Sequence, residues 1–344
     1  MPRIDSDILQ FVNDHPLCSS VEIHKAVGRG SYATTKRAIA TLVETGQLLA
    51  EGRTRATRYV VSPANKLFGP VDMAVYFEQE IDEREILEDF NFQLITEVLW
   101  DVNLFTAEEA HRLAQLQVEF RKNVSEMSPA AYNKEMERLA IDLSWKSSQI
   151  EGNTYSLLET ERLLKEKETA AGKPKDDATM LLNHKEALNF IVENPDYVVP
   201  LSIARIEDIH SILIKDLEVE RNIRRRRVGI SGTNYKPLDN EHQIREALEN
   251  MCRLINRKEN VFEKSLLALV LLSYIQAFND GNKRTARIVS NAILIAHEYC
   301  PISFRTVDAV EYKKAMLVFY EQNNISPFKK IFIDQFNFAV KTYF

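Results

Sequence analysis

Phe278-Asn279-Asp280-Gly281-Asn282-Lys283-Arg284-Thr285-Ala286-Arg287 lies between two strongly apolar stretches, residues 266–275 and 288–295. Neither flank holds Pro or Gly, and Leu, Ala and Ile dominate both, so both predict helix. The loop between them carries one Gly, two Asn, a carboxylate and three cations. A Gly-Asn turn at a helix start presents unpaired backbone N–H groups, and the helix dipole adds partial positive charge. Lys283, Arg284 and Arg287 add more. The run therefore predicts a phosphate-binding nest. Asp280 stands at its mouth, where a hard divalent cation would shield phosphate from carboxylate.

The run resembles the signature of the Fic family (filamentation induced by cAMP), H-x-F-x-(D/E)-G-N-(G/K)-R-x-x-R, from Phe278 through Arg287. The leading His of that pattern is Gln276 here. The resemblance implies transfer of AMP from ATP to a protein hydroxyl with Mg2+ at Asp280. It places the nucleotide on Gly281, Asn282, Lys283, Arg284 and Arg287, and gives the general-base position to residue 276. Gln has no ionisable group near neutral pH, so a nucleotide-binding fold without its usual base is implied.

Ser147-Ser148-Gln149-Ile150-Glu151-Gly152 matches (S/T)-x-x-x-E-(G/N), the inhibitory motif of the same family. The resemblance implies that Ser147, Glu151 and Gly152 end a helix of about 130–152 beside the site. There Glu151 would pair with Arg287 in bidentate geometry and take the guanidinium away from the γ-phosphate. Read from the residues alone, Gly152 is also a helix C-cap, and the two readings are compatible.

Residues 228–237, Val-Gly-Ile-Ser-Gly-Thr-Asn-Tyr-Lys-Pro, are the one β-like patch in the C-terminal part. They resemble the Fic flap, a hairpin that registers a target protein as an added strand. Thr233 and Asn234 are candidate nucleotide contacts on it. The preceding Arg224-Arg225-Arg226-Arg227 reads as a solvated face or as partners for acidic helices, in preference to nucleic-acid binding. Nearer the C-terminus, Tyr312 matches a Tyr that contacts adenine in relatives, and Tyr320 stands where the family has Asn. Core packing explains Tyr320 as well.

The fold expected is mainly α: a Fic-type helical domain over 81–344 with a small β-hairpin flap and a signature loop at 276–287. An N-terminal winged helix-turn-helix domain over 1–62 precedes it, with a linker at 63–80. Helices are predicted over 5–13, 20–27 and 32–45 and β-like stretches over 47–50 and 57–61, joined by a basic tip at 51–56. Residues 71–77 read as a short strand or turn and 82–100 as helix, followed by further helices from Ala107 onward. The N-terminal unit holds eight Lys/Arg against six Asp/Glu, so +2 within a chain of net −6. Lys36, Arg37, Arg53 and Arg55 are its candidate DNA contacts, although +2 is a weak footprint for a dedicated DNA binder.

At 344 residues, 45% hydrophobic and 27% charged, the chain is ordinary globular material, long enough for two domains. No window reaches the about 18 uninterrupted apolar residues of a membrane span, and the N-terminus lacks a signal-peptide core. Three cysteines without metal-ligand spacing fit buried thiols in a reducing, cytoplasmic setting. Three functions stand open. One is an AMP transferase restrained by Glu151. The second is a non-catalytic nucleotide sensor or transcription regulator. The third is a phosphotransferase like the Doc branch, suggested by Lys283 where Gly is commoner. The expected partners are the nucleotide, a target protein on the flap and DNA on residues 1–62. Oligomerisation is left open.

Overall fold

The computed structural model describes residues 4–44, 46–52, 54–84 and 86–344, with backbone alone at 55, 63 and 64. Two units divide the chain: residues 1–71 with 322–326, and residues 72–321 with 327–344.

In the smaller unit, α1 (Ile4–Asp14), α2 (Ser20–Val27) and α3 (Tyr32–Glu44) precede an antiparallel hairpin of β1 (Leu48–Glu51) and β2 (Arg58–Val61). Ser19 and Glu22 form a capping box that starts α2, and Gly28 ends it in the left-handed region at φ 61°. One apolar face from each element meets in a small core of Ile8, Val12, Cys18, Ile23, Ile39, Leu42 and Leu48. Within residues 63–80, expected as linker, lies α4 (Pro63–Phe68). Pro is pre-organised for a first helical position, and Leu67, 1% exposed, anchors the turn. Residues 322–326 join this unit. Ile325 N–H donates to Leu67 O at 2.9 Å and Asn324 Nδ2 to Gly69 O at 2.8 Å.

The larger unit opens with α5 (Met73–Glu78), where strand or turn was expected. Asp72 Oδ1 accepts from the N–H groups of Ala74 and Val75 and nucleates the helix. The helix expected over 82–100 does not form. A 3₁₀ turn at Ile81–Glu83 leads into extended chain, and a single π turn occupies Leu94–Val98. Tertiary partners claim the backbone there: Leu87 N–H donates to Glu321 O, Asn91 N–H to the Tyr274 hydroxyl, and Glu88 O accepts from Lys236 N–H. Those bonds override helical propensity.

Helices then follow in close succession: α6 (Ala107–Glu126), α7 (Pro129–Ile150), α8 (Leu157–Glu166), α9 (Lys175–Glu193), α10 (Ile203–Leu213), α11 (Glu241–Arg257), α12 (Val261–Ile275), α13 (Asn282–Ala296), α14 (Ala309–Gln322) and α15 (Ser326–Tyr343). The apolar α12 is buried on every side and packs along α13; α11 covers α12, while α7, α9 and α10 cover α13. The turn between α12 and α13 thus sits in the middle of the helical unit. The β-hairpin expected at 228–237 is absent. Among the described residues the only sheet is β1–β2, and residue 236 makes an isolated parallel bridge to Asp89. Gly229, Gly232 and Pro237 are poor strand residues, and residues 232, 234 and 236 bond to Arg84, Asp82 and Glu88 instead of to residues 228–231.

No helix among the described residues is long and apolar enough to cross a membrane.

Candidate nucleotide site

Gln276 ends α12 in the left-handed conformation, φ 52° and ψ 55°. Its Nε2 donates to Ser273 O at 2.6 Å, and its Oε1 accepts from Asn282 Nδ2 at 3.1 Å. Asn282 also takes Phe278 N–H on Oδ1 at 2.8 Å and donates to Phe278 O at 2.7 Å, so one amide side chain staples the whole loop. Gly281 enters α13 at φ 80°. A Cβ there would meet the His210 ring and Ile214 at 3.4 Å, close to ordinary contact, so it is the left-handed backbone that calls for glycine.

Two residues without a site signature in the sequence hold this loop. His210 stacks on Phe278 with ring centres 3.7 Å apart, and its Nε2 meets Asp280 O at 3.0 Å. Burial pushes its pKa down to about 4, against the backbone carbonyls that favour the proton, so the ring is neutral and Nε2 carries the donated hydrogen. Arg224 is 1% exposed. Its Nε donates to Gln276 O at 2.6 Å, Nη1 to Arg226 O at 2.8 Å and Nη2 to Leu238 O. Carbonyls alone satisfy this buried cation. His210 reads in sequence as a core histidine of α10, and Arg224 is hidden in a run of four arginines. The other members behave as a solvated face: Arg225 pairs with Glu241 and Arg227 with Asp239, each at 2.7 Å.

The remaining cations line up along α13. Arg284 is buried and donates through Nη2 to Asp280 Oδ2 at 2.8 Å. Arg287, fully buried, donates through Nε to Ser147 Oγ at 2.8 Å and through Nη2 to Ser147 O at 3.0 Å and Glu151 Oε1 at 2.7 Å. The Glu151 contact is one-pronged where a bidentate pair was expected, because Ser147 takes the other face of the guanidinium. The second oxygen, Oε2, meets Lys283 Nζ at 3.4 Å. Burial pushes the Glu151 carboxyl up, but Arg287 and then Lys283 outweigh it and hold it below the usual carboxylate range. Gly152, at φ 101°, follows as the turn residue after α7.

These groups surround a cavity of about 330 Å³. Glu151, Gln276, Asp280, Gly281, Asn282, Lys283, Arg284 and Tyr312 line it, as do Tyr320, Lys313 and the inner arm 228–231. The size suits a small-molecule ligand. Arg287 stands behind Glu151, with its guanidinium 5.3 Å from the centre of the Tyr312 ring. Thr233 and Asn234 do not line this cavity. The turn at Gly232 (φ 89°) reverses the chain and carries them to a separate groove, where Asn234 Nδ2 donates to Asp82 Oδ1 at 2.8 Å.

Residues 200–294 match the Fic/DOC family. This stretch is a Fic/DOC family domain. It takes in α10, residues 228–237 and the α12–α13 turn. Two curated relatives, each a protein adenylyltransferase Fic, come from Nematostella vectensis (29% identical over 182 residues, 49% of this chain and 40% of the relative) and Aedes aegypti (25% over 199 residues, 55% and 39%). The chain thus spans well under half the length of either relative. Two solved Fic structures share the fold: Fic-1 residues 134–508 from C. elegans (TM-score 0.61, 21% identical, 69% of this chain and 72% of that one) and a Fic-domain signalling protein from Bacteroides thetaiotaomicron (0.58, 20%, 67% and 94%).

In the smaller unit, Lys36 and Arg37 are exposed on α3, and Lys36 Nζ lies 5.6 Å over the Tyr32 ring. Arg53 and the Arg55 side chain lie outside the described residues.

Proposed function

We propose that this chain binds ATP in the 330 Å³ cavity and descends from protein adenylyltransferases, with transfer restrained by Glu151 and limited by Gln276. The observation that carries the reading is the Glu151–Arg287 pair, 2.7 Å long, at the wall of a cavity floored by the Gly281–Arg284 nest. A phosphate entering the nest would compete with Glu151 for Arg287 and Lys283. In AMP transfer, the target hydroxyl oxygen bonds to the α-phosphorus, the bond to the β-phosphate bridge breaks and pyrophosphate leaves. The hydroxyl proton needs an acceptor. Gln276 is no acceptor at neutral pH, and both ends of its amide are already committed.

Asp280 fits a Mg2+ role. Its side chain is 63% exposed, and Arg284 holds only Oδ2. No cluster of three or more His, Cys, Asp or Glu among the described residues could hold a metal alone. One carboxylate completed by phosphates and water is how Mg2+ is ordinarily held. Such an ion would neutralise phosphate charge, while Arg284 keeps the carboxylate aimed at the nest.

The committed amide of Gln276 also supports a second reading, a nucleotide sensor without transfer. Three helices followed by a hairpin resemble a winged helix. In that reading, the smaller unit couples nucleotide state to DNA through Lys36 and Arg37 in the cytoplasm. Incubation with α-labelled and γ-labelled ATP separates the alternatives. Protein label from the α-position means AMP transfer, label from the γ-position alone means phosphate transfer, and tight binding with neither means a sensor.

A further inference from the structure

The 3₁₀ turn at Ile81–Glu83 and residues 86–89 contact the outer arm of the flap, residues 233–238, and Arg84 contacts its tip. Asn234 Nδ2 donates to Asp82 Oδ1 at 2.8 Å, Lys236 N–H to Glu88 O at 2.6 Å, and Lys236 Nζ meets Glu88 Oε2 at 2.5 Å. Between these contacts, Arg84 Nη1 donates to Gly232 O, at the flap tip, at 3.2 Å. The Arg84 side chain is only 8% exposed. Nη1 also meets Glu321 Oε1 at 3.4 Å, and the guanidinium lies 4.9 Å from the Phe77 ring centre. Glu321 is fully buried and takes the Tyr76 hydroxyl on its other oxygen. Arg84 therefore joins the flap tip to the end of α14, the helix that supplies Tyr312 and Tyr320 to the cavity. On the inner arm, the backbone groups of Val228, Gly229, Ile230 and Ser231 take no partner among the described residues.

We infer that residues 82–84 and 86–89 act as a strap that fixes the flap's outer arm, residues 233–238, with Arg84 as its positioning residue, leaving 228–231 as the open edge for an extended protein segment. The last clause rests on the reading of the flap as a target-docking element; the strap itself does not. An unsupported loop of this length, with glycines at 229 and 232, would sample many conformations before any strand could add to it. The strap leaves one arm anchored and the other with backbone N–H and C=O groups that have no partner among the described residues.

The test is hydrogen exchange on the intact chain. Arg84→Met keeps a stem over Phe77 and removes the donors. Amides over 233–238 should exchange ~10-fold faster, while those of α13 hold their wild-type rates. Asp82→Ala with Glu88→Gln changes only exposed positions and should move the same amides in the same direction. Unchanged exchange at 233–238 in both variants overturns the strap, as does equal acceleration throughout the larger unit. With Gln276→His and Glu151→Gly present and α-labelled ATP supplied, Arg84→Met should raise the target KM and leave kcat and ATP affinity within about twofold. A fall in kcat at unchanged KM overturns the positioning role. Exchange that responds to Arg84→Met in a chain that never labels any protein leaves the strap standing and removes the transfer reading.

Discussion

Arg284 and Asp280 are paired at 2.8 Å, one buried and one exposed, so each variant removes a different function of the nest. On the proposed reading, Arg284→Ala removes a charge-assisted bond to phosphate worth roughly 1.5–3 kcal/mol, so calorimetry should show a tenfold or greater loss of ATP affinity. Asp280→Ala should instead abolish the Mg2+ dependence of binding. Glu151→Gly frees Arg287 Nη2 and Lys283 together, so ATP affinity should rise several-fold, with the larger gain at low ionic strength. Unchanged affinity would mean that the carboxylate and the γ-phosphate do not share a site. Gln276→His should create or raise transfer by the 10²- to 10⁴-fold typical of general-base help, most visibly together with Glu151→Gly. Equal labelling before and after this change would mean that another group takes the proton. The residues behind these tests were legible because signature chemistry marks them: cations, a carboxylate and a Gly-Asn pair in ten positions. His210 and Arg224 were not. Their effect is exerted through the backbone carbonyls of Asp280 and Gln276, and nothing in their own sequence context marks it.

Among the elements, the helices from α6 onward followed from apolar periodicity and caps. Ser128, Ser156 and Asn260 each accept from the first turn they precede. The extended chain at 86–91 and the flap defeated the same reasoning because long-range partners decide both. Leu87, Glu88 and Asn91 bond to residues far along the chain, and no local pattern encodes that pairing. Residues 322–326 likewise belong with the smaller unit through bonds to Leu67 and Gly69. The tightest element-level constraint is the turn into α13. At φ 80°, Gly281→Ala places a side chain in the left-handed region and so adds backbone strain. It should cost about 1–2 kcal/mol of stability by urea unfolding and weaken ATP binding, because the first N–H groups of α13 are displaced. A stability loss with unchanged nucleotide affinity would mean that those N–H groups do not contact phosphate.

At the scale of the whole molecule, the two units have separate cores, so calorimetry should resolve two transitions. Acid should weaken the larger one for a reason that can be assigned. His184 and His210 are both buried there. Burial pushes both pKa values down, His210 to about 4 and His184 well below its ordinary value. A histidine whose pKa is lower in the fold than in the unfolded chain stays neutral while the unfolded chain takes a proton. The stability it leaves intact above pH 6.5 is therefore lost as pH falls from 6.5 toward 4. For His210 alone the loss between pH 7.5 and pH 5 is about 2 kcal/mol, or about 4 °C in the midpoint of a unit this size. Glu151, held below the ordinary carboxylate range, stays ionised through that window and contributes only at lower pH. His210→Gln keeps an amide donor within reach of Asp280 O and removes the titrating group. Its larger-unit transition should start lower at pH 7.5, for lack of the stack on Phe278, and then fall less steeply toward pH 5 than the wild-type transition. The smaller-unit transition should be the same in both proteins at each pH. Parallel pH slopes for the larger unit would show that His210 is not a source of its acid sensitivity.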